Sequence, residues 1–302
     1  MGPARRDGRW LVDQASGPTP LTSRDDRRAP DVFVTAVRTR REPPTFRTVA
    51  VRRTEALTPR LLRVRVGGDE LAGLTVDLPA ASVRLLLPSA DRADLVMPAW
   101  NGNEFLLPDG SRPIIRTLTP RHVDTAARTL DVDVVVHEGG ALSAWAQAAR
   151  PGDPVAVSGP GRGYAVDPAA GRYLLAGDET AIPAISQLLE HLPDGLPVQV
   201  LVEVADAAAR LPLTSPASGR DGVEVTWCDL PPGATPGDAL VAAVGSATEA
   251  VDPATRIWAA GEAAAVQRIR RSLFQDRGVP RAHAAVRGYW RYGRAGDGDG
   301  GE

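Results

Sequence analysis

The chain has 302 residues, 43% of them hydrophobic, and a formal charge of −2; that is enough core for two domains and too little charge to attract nucleic acid through a global field. All 35 of its basic residues are arginine, which excludes a Schiff-base lysine or a phosphate-loop lysine. Its one cysteine, Cys228, excludes an internal disulfide and any cysteine-rich metal or iron–sulfur site, and no apolar run approaches the roughly 20 residues of a membrane-spanning helix, so a cytoplasmic protein without membrane insertion is expected.

Residues 1–44 mix Arg, Asp, Pro and Gly with few periodic apolar positions, too little hydrophobic surface to offset chain entropy, and read as a disordered leader. From Thr45 to Gly163 come short alternating segments: Phe46 to Val51, Leu61 to Val66, Val83 to Leu87, Ile114 to Leu118, Leu130 to Val136 and Pro154 to Ser158. Turn residues separate them and one helix, Ala141 to Ala149, interrupts them, which predicts a small antiparallel β-barrel over 45–163. After Tyr164 strands alternate with helices. The strands are Tyr173 to Ala176, Val198 to Val204, Val223 to Trp227 and Ile257 to Ala260; the helices are Ala181 to His191, Asp238 to Val244 and Ala263 to Gln275. That alternation predicts an open, mostly parallel α/β sheet over 164–294, followed by a polar tail, 295–302.

The run Leu174 to Ile185 ends an apolar strand at Gly177 and turns into a helix that Asp178 or Thr180 can cap. Ligands of open α/β folds sit beyond such strand ends, where free helix amides receive anions. The run is no GxGxxG fingerprint, and a plain strand-to-helix connection accounts for it equally. Trp258 to Ala263 repeats the form, with Gly261 and Glu262 at the turn. Arg116 to Arg121 closes a barrel strand with a guanidinium fork and threonine hydroxyls, suited either to a flavin nucleotide or to solvent. His137 to Trp145 passes through Gly139 and Gly140 into a helix start open to a phosphate; His137 itself is structural or catalytic. Arg287 to Gly293 sets aromatics between arginines, either a packed terminus or a cover for a flat cofactor.

In order, Arg116-Thr117-Leu118-Thr119, the His137-x-Gly-Gly turn, Ala176 to Pro183, Ala260 to Glu262 and Gly288 to Arg291 resemble the siderophore-interacting protein family. These are FAD-dependent ferric-siderophore reductases within the ferredoxin–NADP reductase superfamily, and the likeness runs from Thr45 to Arg294. The resemblance implies a barrel that holds FAD and a second domain that admits NADH or NADPH, or meets ferredoxin or another redox protein, with a ferric siderophore as substrate. It implies FAD contacts at Arg116, Thr117, Leu118, Thr119, His137, Gly139, Gly140, Ala141, Ser143, Tyr289 and Trp290. The donor side falls on Gly177, Asp178, Thr180, Ala181, Gly261 and Glu262, and the substrate arginines on Arg121, Arg162, Arg287, Arg291 and Arg294. Arg210 is a candidate for the 2′-phosphate of NADPH, or an ordinary surface arginine. Because flavin carries the chemistry, no side chain is assigned as acid, base or nucleophile and no resident metal is expected. Two positions depart from the family: Leu118 stands where a flavin-stacking tyrosine is usual, and Leu142 replaces a proline. Two other roles stay open, a flavin reductase serving a biosynthetic oxygenase and a flavin-binding protein without turnover.

Overall fold

The computed structural model describes residues 45–89, 94–213 and 222–293; the predicted leader, the polar tail and Arg294 lie outside them. The first half forms β1 (Phe46–Thr58), β2 (Leu61–Gly67), β3 (Val83–Leu87), β4 (Ala99–Trp100), β5 (Phe105–Leu106), β6 (Ile114–Leu118), β7 (Pro120–Asp124), β8 (Thr129–Val135), α1 (Ala141–Ala148) and β9 (Pro154–Ser158). Seven of these strands make one antiparallel sheet in the order β6-β3-β9-β1-β2-β8-β7, while β4 and β5 pair separately. Period-2 alternation turns Val64, Val66, Val132, Val134, Val155 and Val157 into a shared core. Full burial of each such side chain contributes about 1.5–3 kcal/mol. On the other face of β2 and β8, Arg63 and Arg65 form paired hydrogen bonds with Asp133 and Asp131.

The two edge strands of this sheet, β6 and β7, are consecutive in the chain and separated by Thr119 alone. A flat sheet cannot bring its opposite edges within one residue of each other, so the sheet curls into a half-barrel whose edges meet at Thr119. The sequence pattern gave no sign of β7: its short Pro-Arg-His-Val-Asp run has a single aliphatic residue apart from proline.

The second half contains β10 (Arg172–Asp178), α2 (Ile182–His191), β11 (Val198–Val204), β12 (Val223–Asp229), α3 (Asp238–Ala247), β13 (Thr255–Glu262), α4 (Ala263–Arg271) and β14 (Ala284–Trp290). Its sheet is parallel throughout, ordered β12-β11-β10-β13-β14. α2 packs on one face with Tyr173, Val200 and Trp258; α3 and α4 cover the other with Leu174, Leu201 and Ile257. The predicted helix Ala263 to Gln275 is α-helical only to Arg271 and runs on as a π-helical turn, Ser272–Asp276. The terminal aromatic motif proves to be strand β14, an edge beside β13.

From the central strand β10 the chain builds outward to β11 and β12 and then returns to add β13 and β14 on the other side. The switch point therefore lies between β10 and β13, the place where such sheets open a crevice. α2 also seats the sheet against the half-barrel. Gln187 Nε2 donates to the Pro120 carbonyl (2.5 Å) and its Oε1 accepts from Ala80 N (2.9 Å). Arg121 pairs with Glu190 (2.5 Å), and Arg60 reaches Glu179 (2.9 Å).

Candidate functional site

At the switch point three neighbouring strands end in buried carboxylates: Asp178 on β10, Glu203 on β11 and Glu262 on β13. Each accepts peptide N–H groups at the start of a helix or helical turn. Asp178 Oδ1 accepts from Thr180 N (2.9 Å) and Thr180 Oγ1 (2.5 Å), capping the 3-10 turn that leads into α2. Glu203 receives Gly237 N (2.6 Å) and Leu240 N (2.9 Å) at the start of α3. Glu262 caps α4 through Ala265 N (2.8 Å). Of the amides expected to be free at the Gly177 turn, that of Thr180 is thus already taken by Asp178, within its own sequence reach. Burial pushes the Asp178 carboxyl above its ordinary pKa in spite of those bonds. Glu203 is raised as well, first by burial and further by the Asp178 charge. Glu203 was missed from sequence, although a glutamate inside the apolar run Val198–Val204 was the available signal.

The glycines at these turns serve internal packing. A Cβ on Gly177 would stand 2.4 Å from the Ala181 Cβ and 2.9 Å from the Ala260 carbonyl oxygen. Gly261, at φ +153°, leaves room for a carboxylate: an added Cβ would lie 2.5 Å from Asp178 Oδ2. That oxygen accepts Glu262 N and the Trp290 indole N–H, each at 2.8 Å. Trp290 is thus tied to β10, and its neighbour Tyr289 faces the half-barrel. Burial of the Tyr289 ring raises its pKa against the opposing effect of the nearby Thr119 side chain, and the ring meets Trp258 edge-on at 6.4 Å. Tyr289 nevertheless keeps 36% of its surface exposed.

On the half-barrel side, β6 presents Arg116 and Leu118 on one face and exposes Thr117 on the other. The Arg116 Nη1 donates to the Ile115 carbonyl (2.9 Å). Leu118 leans on the same half-barrel core as Leu142 and Trp145 of α1. At the start of α1, Gly140 offers no side-chain cap and, among the described residues, no carboxylate reaches in as Glu203 does at α3, leaving the first-turn N–H groups of Ala141 to Ser143 for an external acceptor. Gly139 at φ +76° has no atom within 4 Å of where a Cβ would be. Gly140 lies under the His137 imidazole, 2.4 Å from a would-be Cβ. The buried Ser143 hydroxyl accepts His137 N (2.9 Å). His137 is exposed, with Nδ1 at 3.0 Å from the Glu138 carbonyl.

The arginines expected to meet substrate are distributed differently. Arg121 is held by Glu190, and Arg287 donates to the Arg162 and Gly163 carbonyls at 3.3 and 3.0 Å. Arg162 and Arg291 are exposed; Arg210 pairs with Asp229 at 2.6 Å. Among the described residues no group of three His, Cys, Asp or Glu side chains could hold a metal ion, and no helix is long and apolar enough to cross a membrane.

Two family models cover nearly all of the described chain. The siderophore-interacting FAD-binding domain matches residues 50–164 and the siderophore-interacting protein model matches 170–293. A Mycobacterium tuberculosis protein, Rv2895c, is 38% identical over 255 residues, 80% of this chain and 88% of its own. The NADPH-dependent ferric-chelate reductase of Escherichia coli is 34% identical over 186 residues, 60% of this chain and 70% of its own. The crystal structure of a siderophore utilization protein from T. fusca superposes with a TM-score of 0.72 at 37% identity, over 84% of this chain and 95% of that one. A ferredoxin reductase of carbazole 1,9a-dioxygenase shares the fold, with a TM-score of 0.59 at 16% identity over 83% of this chain and 71% of that one.

Proposed function

The chain belongs to the siderophore-interacting protein family, and on that premise we propose that it is a cytoplasmic FAD-dependent reductase that passes electrons from NADH or NADPH to a ferric siderophore. The observation that carries this reading is the uncapped start of α1, whose Leu142 packs on the same half-barrel core as Leu118 of β6. A dinucleotide needs an anion site next to a rim that can hold a flat ring. Here the first-turn amides and the open backbone at Gly139 would receive the FAD diphosphate, with Arg116 as its counter-charge. Thr119 and the partly exposed Tyr289 would border the ring. When bound, FAD supplies the conversion of a hydride into single electrons, which no side chain provides.

The chain's own residues position and shield. Leu118 and Tyr289 keep water from the ring edge, and Thr119 supplies a hydroxyl at the corner where the sheet edges meet. The strand ends at Gly177 and Gly261 form the opposite wall, where the donor would lie. The ferric chelate is substrate: oxygen ligands favour Fe(III) over Fe(II), so reduction loosens the complex and releases Fe(II) for iron assimilation. No acid or base is needed at the iron. The exposed Arg162 and Arg291 are the arginines free to attract an anionic chelate.

The test is a spectrum. Purified protein with ~50 µM FAD should acquire flavin absorbance, bleach anaerobically with NADH or NADPH, and recover on adding a ferric siderophore while a ferrous chelator colours. Protein that takes up no FAD overturns the proposal. Leu118 supports a second reading, a flavin-binding protein without turnover, because leucine gives the apolar contact and forgoes ring stacking; FAD uptake without bleaching by either dinucleotide selects it.

A further inference from the structure

We propose that Asp178 is a positioning residue: its second carboxylate oxygen fixes the Trp290 indole and, through the adjoining Tyr289, the span between the strand ends and the half-barrel corner at Thr119. The consequence for electron transfer rests on the reading above, whereas the positioning itself does not. Capping alone needs one acceptor, which Ser, Thr or Asn supplies as well as Asp. Oδ1 meets that need through Thr180. What a carboxylate adds is Oδ2, and it draws in donors from β13 and β14 together, Glu262 N and Trp290 Nε1.

Three features mark this oxygen as more than incidental. Asp178 is 7% exposed and has no ion pair with an arginine among the described residues, a costly place for a charge. Gly261 lacks the Cβ that would stand 2.5 Å from Oδ2, so β13 is shaped around it. The next acidic residue along, Glu262, accepts Tyr292 N through Oε1 (3.2 Å). Two buried carboxylates thus hold the chain on either side of Arg291. Between them and the half-barrel stands Tyr289, beside Thr119. One hydrogen bond, one peptide link and this side-chain approach therefore run Asp178, Trp290, Tyr289, Thr119, from the proposed donor wall toward the proposed flavin wall. Errors of about 1 Å in such a span change transfer rates by up to about a hundredfold.

Two variants separate positioning from folding. Asp178→Ser retains a capping oxygen for Thr180 and is too short to reach the indole; Trp290→Phe keeps a ring and removes the N–H. In protein free of FAD, the indole resonance that Trp290→Phe deletes should shift upfield and exchange faster in Asp178→Ser. In FAD-loaded protein, flavin reduction by the preferred dinucleotide should slow about tenfold in each variant. The double variant should be no slower than Asp178→Ser, since both changes break one link. An unmoved indole resonance, wild-type reduction rates, or additive slowing overturns the proposal. Wild-type protein that neither dinucleotide reduces defeats the electron-transfer reading, while the indole resonance still decides whether Asp178 positions Trp290.

Discussion

Gly177→Ala tests whether the glycine at the central turn admits a ligand or closes a core. The new methyl would lie 2.4 Å from the Ala181 Cβ, 2.9 Å from the Ala260 carbonyl oxygen and 3.4 Å from Ile185 Cδ1. Neither of the first two atoms can swing away. Ala181 is fully buried, and the Ala260 carbonyl belongs to the strand paired with Gly177. Relief requires α2 to lift from the sheet or β10 and β13 to part. Overpacking of this kind costs about 1–3 kcal/mol, and the lower entropy of an unfolded alanine returns about 0.4–1 kcal/mol, leaving a loss of about 1–2 kcal/mol. For a chain of this size that lowers Tm by roughly 2–8 °C, measured by thermal unfolding without cofactor. Adding Ala181→Gly should recover part of the loss, because it deletes the nearer clash. An unchanged Tm, with loss of dinucleotide affinity alone, would refute the packing argument and restore Gly177 as a ligand contact.

Asp131 gives a pH signature: burial opposes its ionisation, but the Arg65 fork and His122 outweigh that and hold its pKa below 3.8. A carboxyl held low contributes stability above its unfolded pKa and loses it as pH falls through the folded value. Asp131→Asn should therefore lower Tm at neutral pH and narrow the gap to wild type in acid below 3.8; an equal gap at both ends removes the linkage. Arg116→Ala should weaken FAD binding by about 1.5–3 kcal/mol, the range for a charge-assisted hydrogen bond, and unchanged affinity in a titration takes Arg116 out of the site. Leu118→Tyr should tighten FAD or shift its absorbance, and no change in either places Leu118 away from the ring. Asp229→Asn releases Arg210 from its 2.6 Å ion pair and should raise affinity for NADPH relative to NADH; an unaltered ratio means that Arg210 does not face the 2′ position.

The sequence made the two halves legible because their periodicities differ: alternation in Leu61 to Val66 and Leu130 to Val136, then buried runs such as Val198 to Val204 between helices. Strands β7 and β14 escaped for opposite reasons. β7 has almost no apolar content and owes its place to curling of the sheet, a long-range effect. β14 has the right residues, but its Gly-Tyr-Trp-Arg end invited reading as a motif rather than as an edge strand. At the site, sequence order alone gathered the turn residues at Gly177, Gly261 and Trp290 that the sheet brings together. It could not tell that Arg121 and Arg287 are engaged within the protein, because their partners lie on α2 and the linker near Gly163, remote in the chain. Nor could spacing reveal that Asp178 looks inward, since a cap and a ligand contact require the same residue at the same place.

That inward turn redistributes charge across the molecule. A helix start carries a partial positive charge that attracts anions, and a buried carboxylate there cancels it. Asp178, Glu203 and Glu262 do this at the starts of the α2 turn, α3 and α4, all at one end of the parallel sheet. α1 keeps its first-turn amides without a side-chain cap, whereas α2, which has none of its own, continues from the turn that Asp178 caps. On the proposed function, carboxylates at the strand ends would weaken the attraction for a donor's diphosphate there relative to the start of α1. A resident cofactor needs slow dissociation and a donor needs fast release. With no lysine in the chain to act as a flexible phosphate anchor, the proposed function would then leave backbone amides and arginines to hold FAD firmly and let the donor leave.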